Sequence, residues 1–388
     1  AITYALRGIQ RSNFPIGKKE VLSVQLVYKS LTHSDGFIGP RAVSMQVYNL
    51  SGPDNIYDHF AVTEKADGER KMLFVVEEKA YFIVSGSLDV EYTGISGLEK
   101  MNHILLDGEH VTNDKDNSRI NSYFAFDIYY NGKKDIRTLP FIGPEDHRLK
   151  QLNHQVKKFT GSTLVVSAKI FVNSTPDSCG MLLDKIEDGG FPYHTDGLIF
   201  TPEQYGVGMS STVTSLPQGG SDWYLNLKWK PPKDNTIDFL VHFGEDAYQS
   251  GMTSASTYKK VNLFVGFNPR DVLANTIHSI FEGYEVRRPV DKQVLFKPGN
   301  PTPDSHVTNL PSREGNIMTE KGEVIEHGRI VEFRYDKTKE LDHRWTPLRV
   351  RWDKTKPNGF TTAASNWLTI QEPITSEMLR KKDHKMIQ

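Results

Sequence analysis

The chain has 388 residues, 47 basic and 48 acidic side chains for a net charge of −1, 11% aromatics and a single cysteine, Cys179. No apolar run approaches the roughly 20 residues that span a bilayer, and "AITYALRGIQ" lacks the charged-then-apolar order of a secretory signal, so composition argues against a membrane or export role. One cysteine excludes an internal disulfide framework or a cysteine zinc site, near-neutral charge excludes a global field drawing the chain onto nucleic acid, and the length predicts more than one domain.

The first residue is Ala1 rather than Met, which reads as an excised domain or a processed product. Residues 20–32, "EVLSVQLVYKSLT", have helical apolar spacing and predict a surface-packed helix. In "VTEKADGERKMLFVV", residues 62–76, Asp-Gly stands between residues of strand character. That dipeptide is a common hairpin signal, because Gly accepts the positive φ of a tight turn. It recurs at Asp35, Asp67, Asp107, Asp188 and Asp196, so it carries nothing alone. Strands are predicted at "KMLFVVEE", "AYFIVS", "HILLDGE" and "SYFAFDIYY", then a helix over 145–159 with Leu149, Leu152, Val156 and Phe159 on one face. The "PDSCGM" around Cys179 has no feature that would activate a thiol, so the cysteine reads as structural. Further strands are predicted at "DGLIFTP", "LNLKWK", "IDFLVHF", "VNLFVGF" and "RIVEFRYD", with loops over 205–222 and 297–316. Basic clusters at 228–233, 287–297, 349–356 and 380–385 would ordinarily be solvated faces, and the 13 histidines contain no HExxH pattern.

Strands outnumber helices without regular alternation, which predicts antiparallel α+β architecture. A first domain is placed over 1–236, a smaller β-rich domain over 237–360, and a helical C-terminal segment over 361–388 that packs back on the first.

A lysine that attacks phosphorus must be a neutral amine, whereas an unperturbed lysine, pKa ~10.4, is protonated at neutral pH. Burial and neighbouring cations favour the neutral form, so a lysine nucleophile predicts other cations and a metal nearby. Such partners follow Lys65 in order: "KADGER", "LLDGE", "FAFDIYY", "HTDGLIF", "LKWKP" and "RVRWDKTKPN". Three of the five Asp-Gly pairs fall inside this set. It resembles the covalent nucleotidyltransferases, whose first motif is KxDGxR, and within them the messenger-RNA capping guanylyltransferases. "HTDGLIFTPEQYGVG" followed by "LKWKPPKDNTIDFLV" carries the closer likeness, over roughly residues 55–360, and the alanine in "KADGER" is most similar to the modules of large DNA viruses.

The resemblance implies a nucleotidyltransferase domain of antiparallel sheets and flanking helices, followed by an OB-fold domain. It implies that Lys65 takes GMP from GTP as a phosphoramidate, releasing pyrophosphate, and passes it to the 5′-diphosphate end of RNA to form GpppRNA. Arg70 is expected on the sugar-phosphate side, Glu109 at the ribose or metal, and Phe126 stacked on guanine. Lys228 and Lys230 alternate along a strand and so share a face against the α-phosphate, with Trp229 on the other. Asp196, with Glu109, is expected to hold Mg²⁺ or Mn²⁺, chiefly through water. Arg351, Asp353 and Lys354 are implied at the β- and γ-phosphates. RNA triphosphatase and cap methyltransferase domains are implied partners, on the same polypeptide or another. The location implied is intracellular: host cytoplasm or virion for a viral protein, otherwise the nucleus. Spacing and composition leave the base open between guanine and adenine, so an ATP-dependent RNA or DNA ligase is the alternative, and a non-catalytic RNA-binding module the second.

Overall fold

Alternation within "KMLFVV" decides the architecture around the nucleophile. Met72, Phe74 and Val76 join one apolar cluster while Leu73 and Val75 join another. A strand buried on both faces reads as an uninterrupted apolar run. In the computed structural model, which describes residues 13–160, 163–217, 220–248, 257–267, 293–298, 306–313 and 315–381, the chain divides into two units. One is Ala1–Lys230 with Thr375–Gln388, the other Pro231–Ile374.

The first unit contains β1 (Arg41–Ser44), β2 (Phe60–Ala66), β3 (Glu69–Val76), β4 (Lys79–Val84), β5 (Val90–Tyr92), β6 (Ile104–Asn113), β7 (Arg119–Asn131), β8 (Lys134–Asp135), β9 (Val165–Ala168), β10 (Val172–Asn173), β11 (Thr195–Pro202) and β12 (Asp222–Trp229). Its longer helices are α1 (Lys18–Thr32), α2 (Arg148–Val156) and α3 (Pro176–Glu187). The strands form a seven-stranded sheet, β5-β4-β3-β6-β7-β8 with β9 beside β7, and a five-stranded sheet, β1-β12-β11-β2-β10. All pairings are antiparallel except β1 with β12 and β7 with β9. Val24 and Tyr28 of α1 cover one face of the larger sheet, and Leu152 and Val156 of α2 cover the other.

Two local expectations change. Asp67-Gly68 is no hairpin turn, because β2 and β3 belong to different sheets. Gly68 has no positive φ. Its missing side chain matters because a Cβ there would lie 2.7 Å from the His110 carbonyl oxygen and 2.9 Å from Glu109 Cγ. The second change adds the helix α3: Thr175 caps it by accepting from the Ser178 N–H, and Pro176 starts it. It buries Cys179, whose thiol burial pushes up to about 12, so the cysteine stays an inert packing group.

The second unit is a barrel-like, OB-fold-like sheet built from β13 (Thr236–Tyr248), β14 (Thr257–Gly266), β15 (Gln293–Leu295), β16 (Val307–Arg313), β17 (Asn316–Met318), β18 (Val324–Ile325), β19 (Ile330–Tyr335) and β20 (Trp345–Val350). The backbone N–H groups of Glu320 and Lys321 donate to the carbonyls of Pro347 and Leu348, bringing the two ends of the strand order together. β16 occupies part of the stretch expected as loop. The basic cluster at 287–297 and the one at 380–385 lie largely outside the described residues, as does part of the loop expected over 297–316.

The unit boundaries also move. Helix α4 (Phe360–Gln371), expected in a tail packing on the first domain, instead buries Ala363, Trp367 and Ile370 among Phe239, Phe296 and Trp345 of the second unit. Its apolar face completes the barrel core, so the second unit runs to Ile374. Only the last segment returns to the first unit. There, after α5 (Ser376–Leu379), Arg380 pairs with Asp184 and Glu187, while Tyr57 donates to the Leu379 carbonyl.

Candidate active site

Lys65 sits one residue from the end of β2, opposite a β-bulge in β11. Ala66 pairs with Thr195 and Glu64 with Leu198, so Asp196 and Gly197 together face Lys65. Such a bulge re-aims a side chain, and here it brings Asp196 Oδ1 to 2.7 Å from Lys65 Nζ. Gly197 has φ +143°, and a Cβ on it would fall 1.9 Å from the Trp229 carbonyl oxygen. Asp196 Oδ2 lies 2.6 Å from Lys230 Nζ. Burial pushes the Asp196 carboxyl up, but Lys65 and Lys230 outweigh it and hold the group below its usual range. Lys228 lines the same cavity as Lys65, and burial, then Lys230 and Lys65, lower it to about 8. Trp229 between the two lysines is buried.

The cavity measures about 290 Å³, with Lys65, Arg70, Glu109, Phe126 and Lys228 in its wall. Arg70 is more engaged than expected. It donates from Nε and Nη2 to the two oxygens of the buried Asp107, at 3.0 and 2.5 Å, and from Nη1 to the Pro40 carbonyl at 2.8 Å. Burial would lower its pKa, but Asp107 reverses that and raises it. Its guanidinium carbon is 5.5 Å from the Phe126 ring centre, so it backs that ring as well as facing the cavity. Phe126 is half-buried. The next residue, Asp127, turns to the buried Arg148 at 2.8 Å and fixes β7. Glu109 accepts no hydrogen bond among the described residues, and burial lifts it to about 7 against the pull of Lys65, Lys169 and Arg70.

Four residues beyond those singled out from the sequence belong here. Asp107 stands two positions before Glu109 in the quoted "LLDGE" and anchors Arg70. Lys169 and Phe171 line the cavity from "VVSAKIFVN", where a lone lysine in an apolar run is the signal that could have found them. Lys169 is buried, donates to the Glu64 carbonyl and lies 3.0 Å from Glu64 Oε1, and burial lowers its pKa despite that carboxylate. The fourth, Asp238, stands in the second unit, where it collects the cations of "RVRWDK". Arg351 Nη1 donates to Asp238 at 3.0 and 2.8 Å, Nη2 meets Asp353 at 2.7 Å, and Lys354 bonds Asp238. The Arg351 hydrogen bond lowers Asp353 to about 2. Lys65, Arg70, Glu109, Phe126, Lys228 and Lys230 with Asp196 thus assemble in the first unit, and Arg351, Asp353 and Lys354 in the second.

Residues 12–217 match the family model for the mRNA capping enzyme catalytic domain, and residues 234–380 the model for the mRNA capping enzyme C-terminal domain. A probable mRNA-capping enzyme of Acanthamoeba polyphaga mimivirus is 25% identical over 96% of this chain and 35% of its own length. The mRNA-capping enzyme of African swine fever virus (strain Badajoz 1971 Vero-adapted) is 26% identical over 83% of this chain and 35% of its own length. The chain therefore spans about a third of these viral relatives, but its match to the mRNA-capping enzyme subunit alpha of Candida glabrata, 24% identical, covers 80% of that protein. Among solved structures, a mycobacterial DNA ligase D complexed with ATP and MES aligns over 81% of this chain and 94% of its own at 14% identity, TM-score 0.39.

Proposed function

The chain belongs to the mRNA capping enzyme family, and from that premise we propose that it is a guanylyltransferase acting through Lys65. The observation that carries this is the Lys65–Asp196–Lys230 arrangement, with Lys65 and Lys228 in the wall of an aromatic-lined cavity. Asp196 aims the Lys65 amine, and Lys230 balances the carboxylate's second oxygen. With GTP in the cavity, the Lys65 nitrogen attacks the α-phosphorus, the bond to the β-phosphate oxygen breaks and pyrophosphate leaves. Lys228 and Lys230 oppose the charge that develops on the α-phosphate oxygens. A β-phosphate oxygen of diphosphate-ended RNA then attacks the same phosphorus and displaces Lys65, giving GpppRNA. Arg351 and Lys354 are assigned to the departing pyrophosphate.

Phe126, backed by Arg70, supplies the ring for the base. Lys169 supports guanine over adenine: an ammonium has three donors and no acceptor, and two of its partners here are the Glu64 carbonyl and carboxylate. The remaining donor suits the carbonyl at guanine C6 and repels the amino group that adenine presents there. Glu109, which accepts no hydrogen bond among the described residues, and Asp196 are hard oxygen donors that fit a divalent cation. Glu109 fits better, since each Asp196 oxygen already meets a lysine. Bound there, Mg²⁺ or Mn²⁺ would neutralise phosphate charge. RNA triphosphatase and cap methyltransferase activities are proposed for other parts of the polypeptide or for partners.

The test is incubation with each of the four α-labelled nucleoside triphosphates, followed by denaturation. Label from GTP alone is expected, acid-labile and alkali-stable as a P–N bond requires, lost in Lys65→Ala and Lys65→Arg, and transferable to diphosphate-ended RNA. Label from ATP instead would mark a ligase, and none from any nucleotide a binding module.

A further inference from the structure

Within "RVRWDK" the residue between Arg351 and Asp353 is a tryptophan that the chemistry above does not use. Trp352 is 63% exposed, whereas Trp223, Trp229, Trp345 and Trp367 are 5% exposed or less. Single exposed apolar residues are ordinary, but this ring is held. Its Nε1–H donates to Glu323 Oε1 at 3.0 Å, and the Arg329 guanidinium carbon stands 5.1 Å from the ring centre. Both partners are fixed in turn: Glu323 Oε2 accepts from the Val350 N–H at 2.7 Å, and Arg329 pairs with Glu326 at 2.7 Å. Arg329 beside the ring and Arg349, three residues before it in the sequence, both keep exposed guanidinium groups.

We infer that Trp352 is a stacking platform for a base of the acceptor RNA. A rigid, exposed indole loses little entropy when a base covers it, and base–aromatic stacking tolerates any sequence, as an enzyme acting on many transcripts requires. The exposed guanidinium groups of Arg329 and Arg349 suit the phosphates on either side of such a base. A protein ligand would not need the cations, and a nucleotide bound for the first step is already provided with Phe126. The inference rests on the guanylyltransferase reading for the identity of the RNA, but its test separates the two.

Because the other four tryptophans are buried, iodide-accessible emission reports Trp352. A short diphosphate-ended RNA oligonucleotide should quench that emission saturably and shield it from iodide, while GTP alone leaves it unchanged. In transfer assays Trp352→Ala should raise the RNA KM roughly tenfold, about 1.4 kcal/mol, with kcat little altered. Trp352→Phe should restore most of the affinity, and labelling of either variant by GTP should match wild type. Unchanged emission with saturating RNA, equal quenching by GTP, or an unaltered RNA KM in Trp352→Ala would each overturn the inference. If Trp352→Ala does not fold, wild-type quenching and the Trp352→Phe KM decide. An absent lysyl adduct with RNA quenching intact would remove the catalytic reading and leave the RNA platform standing.

Discussion

Glu109 and Phe126 both stand in the cavity wall yet differ in what their loss would reveal. Phe126→Ala is expected to weaken GTP binding by about 1–3 kcal/mol, the scale of a base–aromatic stack, while the thermal midpoint stays close to wild type because the ring is only half-buried. A large fall in the midpoint with normal GTP affinity would make Phe126 a core residue. Glu109 makes a prediction in pH. Its native value of about 7 stands above the ordinary 4.5, so the native state binds the extra proton between those values. Stability from this group is therefore full below about 4.5 and is lost as pH rises through about 7. Glu109→Gln removes that loss, so the variant should gain stability relative to wild type between pH 5 and pH 7.5, even as it loses adduct formation. A constant difference in melting temperature across that range would contradict the assignment.

The element that matters most is the bulge in β11. Asp196→Asn keeps the backbone and the packing, so it should fold normally and lose most adduct formation, because an amide offers one acceptor oxygen where the carboxylate offers one each to Lys65 and Lys230. Gly197→Ala should lose both folding and labelling. Its Cβ would meet the Trp229 carbonyl at 1.9 Å at a φ of +143°, and strain of that kind costs on the order of 1–3 kcal/mol or more. Thermal melts beside adduct assays separate the two variants; a stable, active Gly197→Ala protein would mean that the bulge does not set the nucleophile. The Asp107–Arg70 pair serves a related purpose, tying β6 to β3 directly behind the Phe126 ring.

At the scale of the whole molecule, the cations divide between units: Lys65, Lys228 and Lys230 belong to the first, Arg351 and Lys354 to the second. Only the first step has a triphosphate to bind. Arg351→Ala and Lys354→Ala are therefore expected to lose most loading from GTP, while protein already carrying GMP transfers it at the wild-type rate per loaded molecule. A two-stage assay checks this: load, remove GTP, add diphosphate-ended RNA and follow the label. Variants that load normally but transfer slowly would assign these cations to the RNA.

Much of the fold is legible in the sequence. The ordered set from "KADGER" to "RVRWDK" pointed to the family that the chain belongs to, because the covalent nucleotidyl transfer it implies needs particular residue types in particular local settings, and those are written in short stretches. The double-sided apolar run of β3 likewise declared a buried strand. What the chain could not show was which side chains share a cavity. Asp196 meets Lys65 only because β11 carries one extra residue opposite β2, Lys169 and Phe171 enter on the link between β9 and β10 with no motif of its own, and Asp238 gathers Arg351 and Lys354 across a sheet. The end of the second unit was equally hidden, since α4 is assigned by the barrel core its face fills. Identity and local period are properties of the sequence, whereas sheet register and long-range burial are set by the sum of all packing, and a one-residue slip in register turns every side chain to the opposite face.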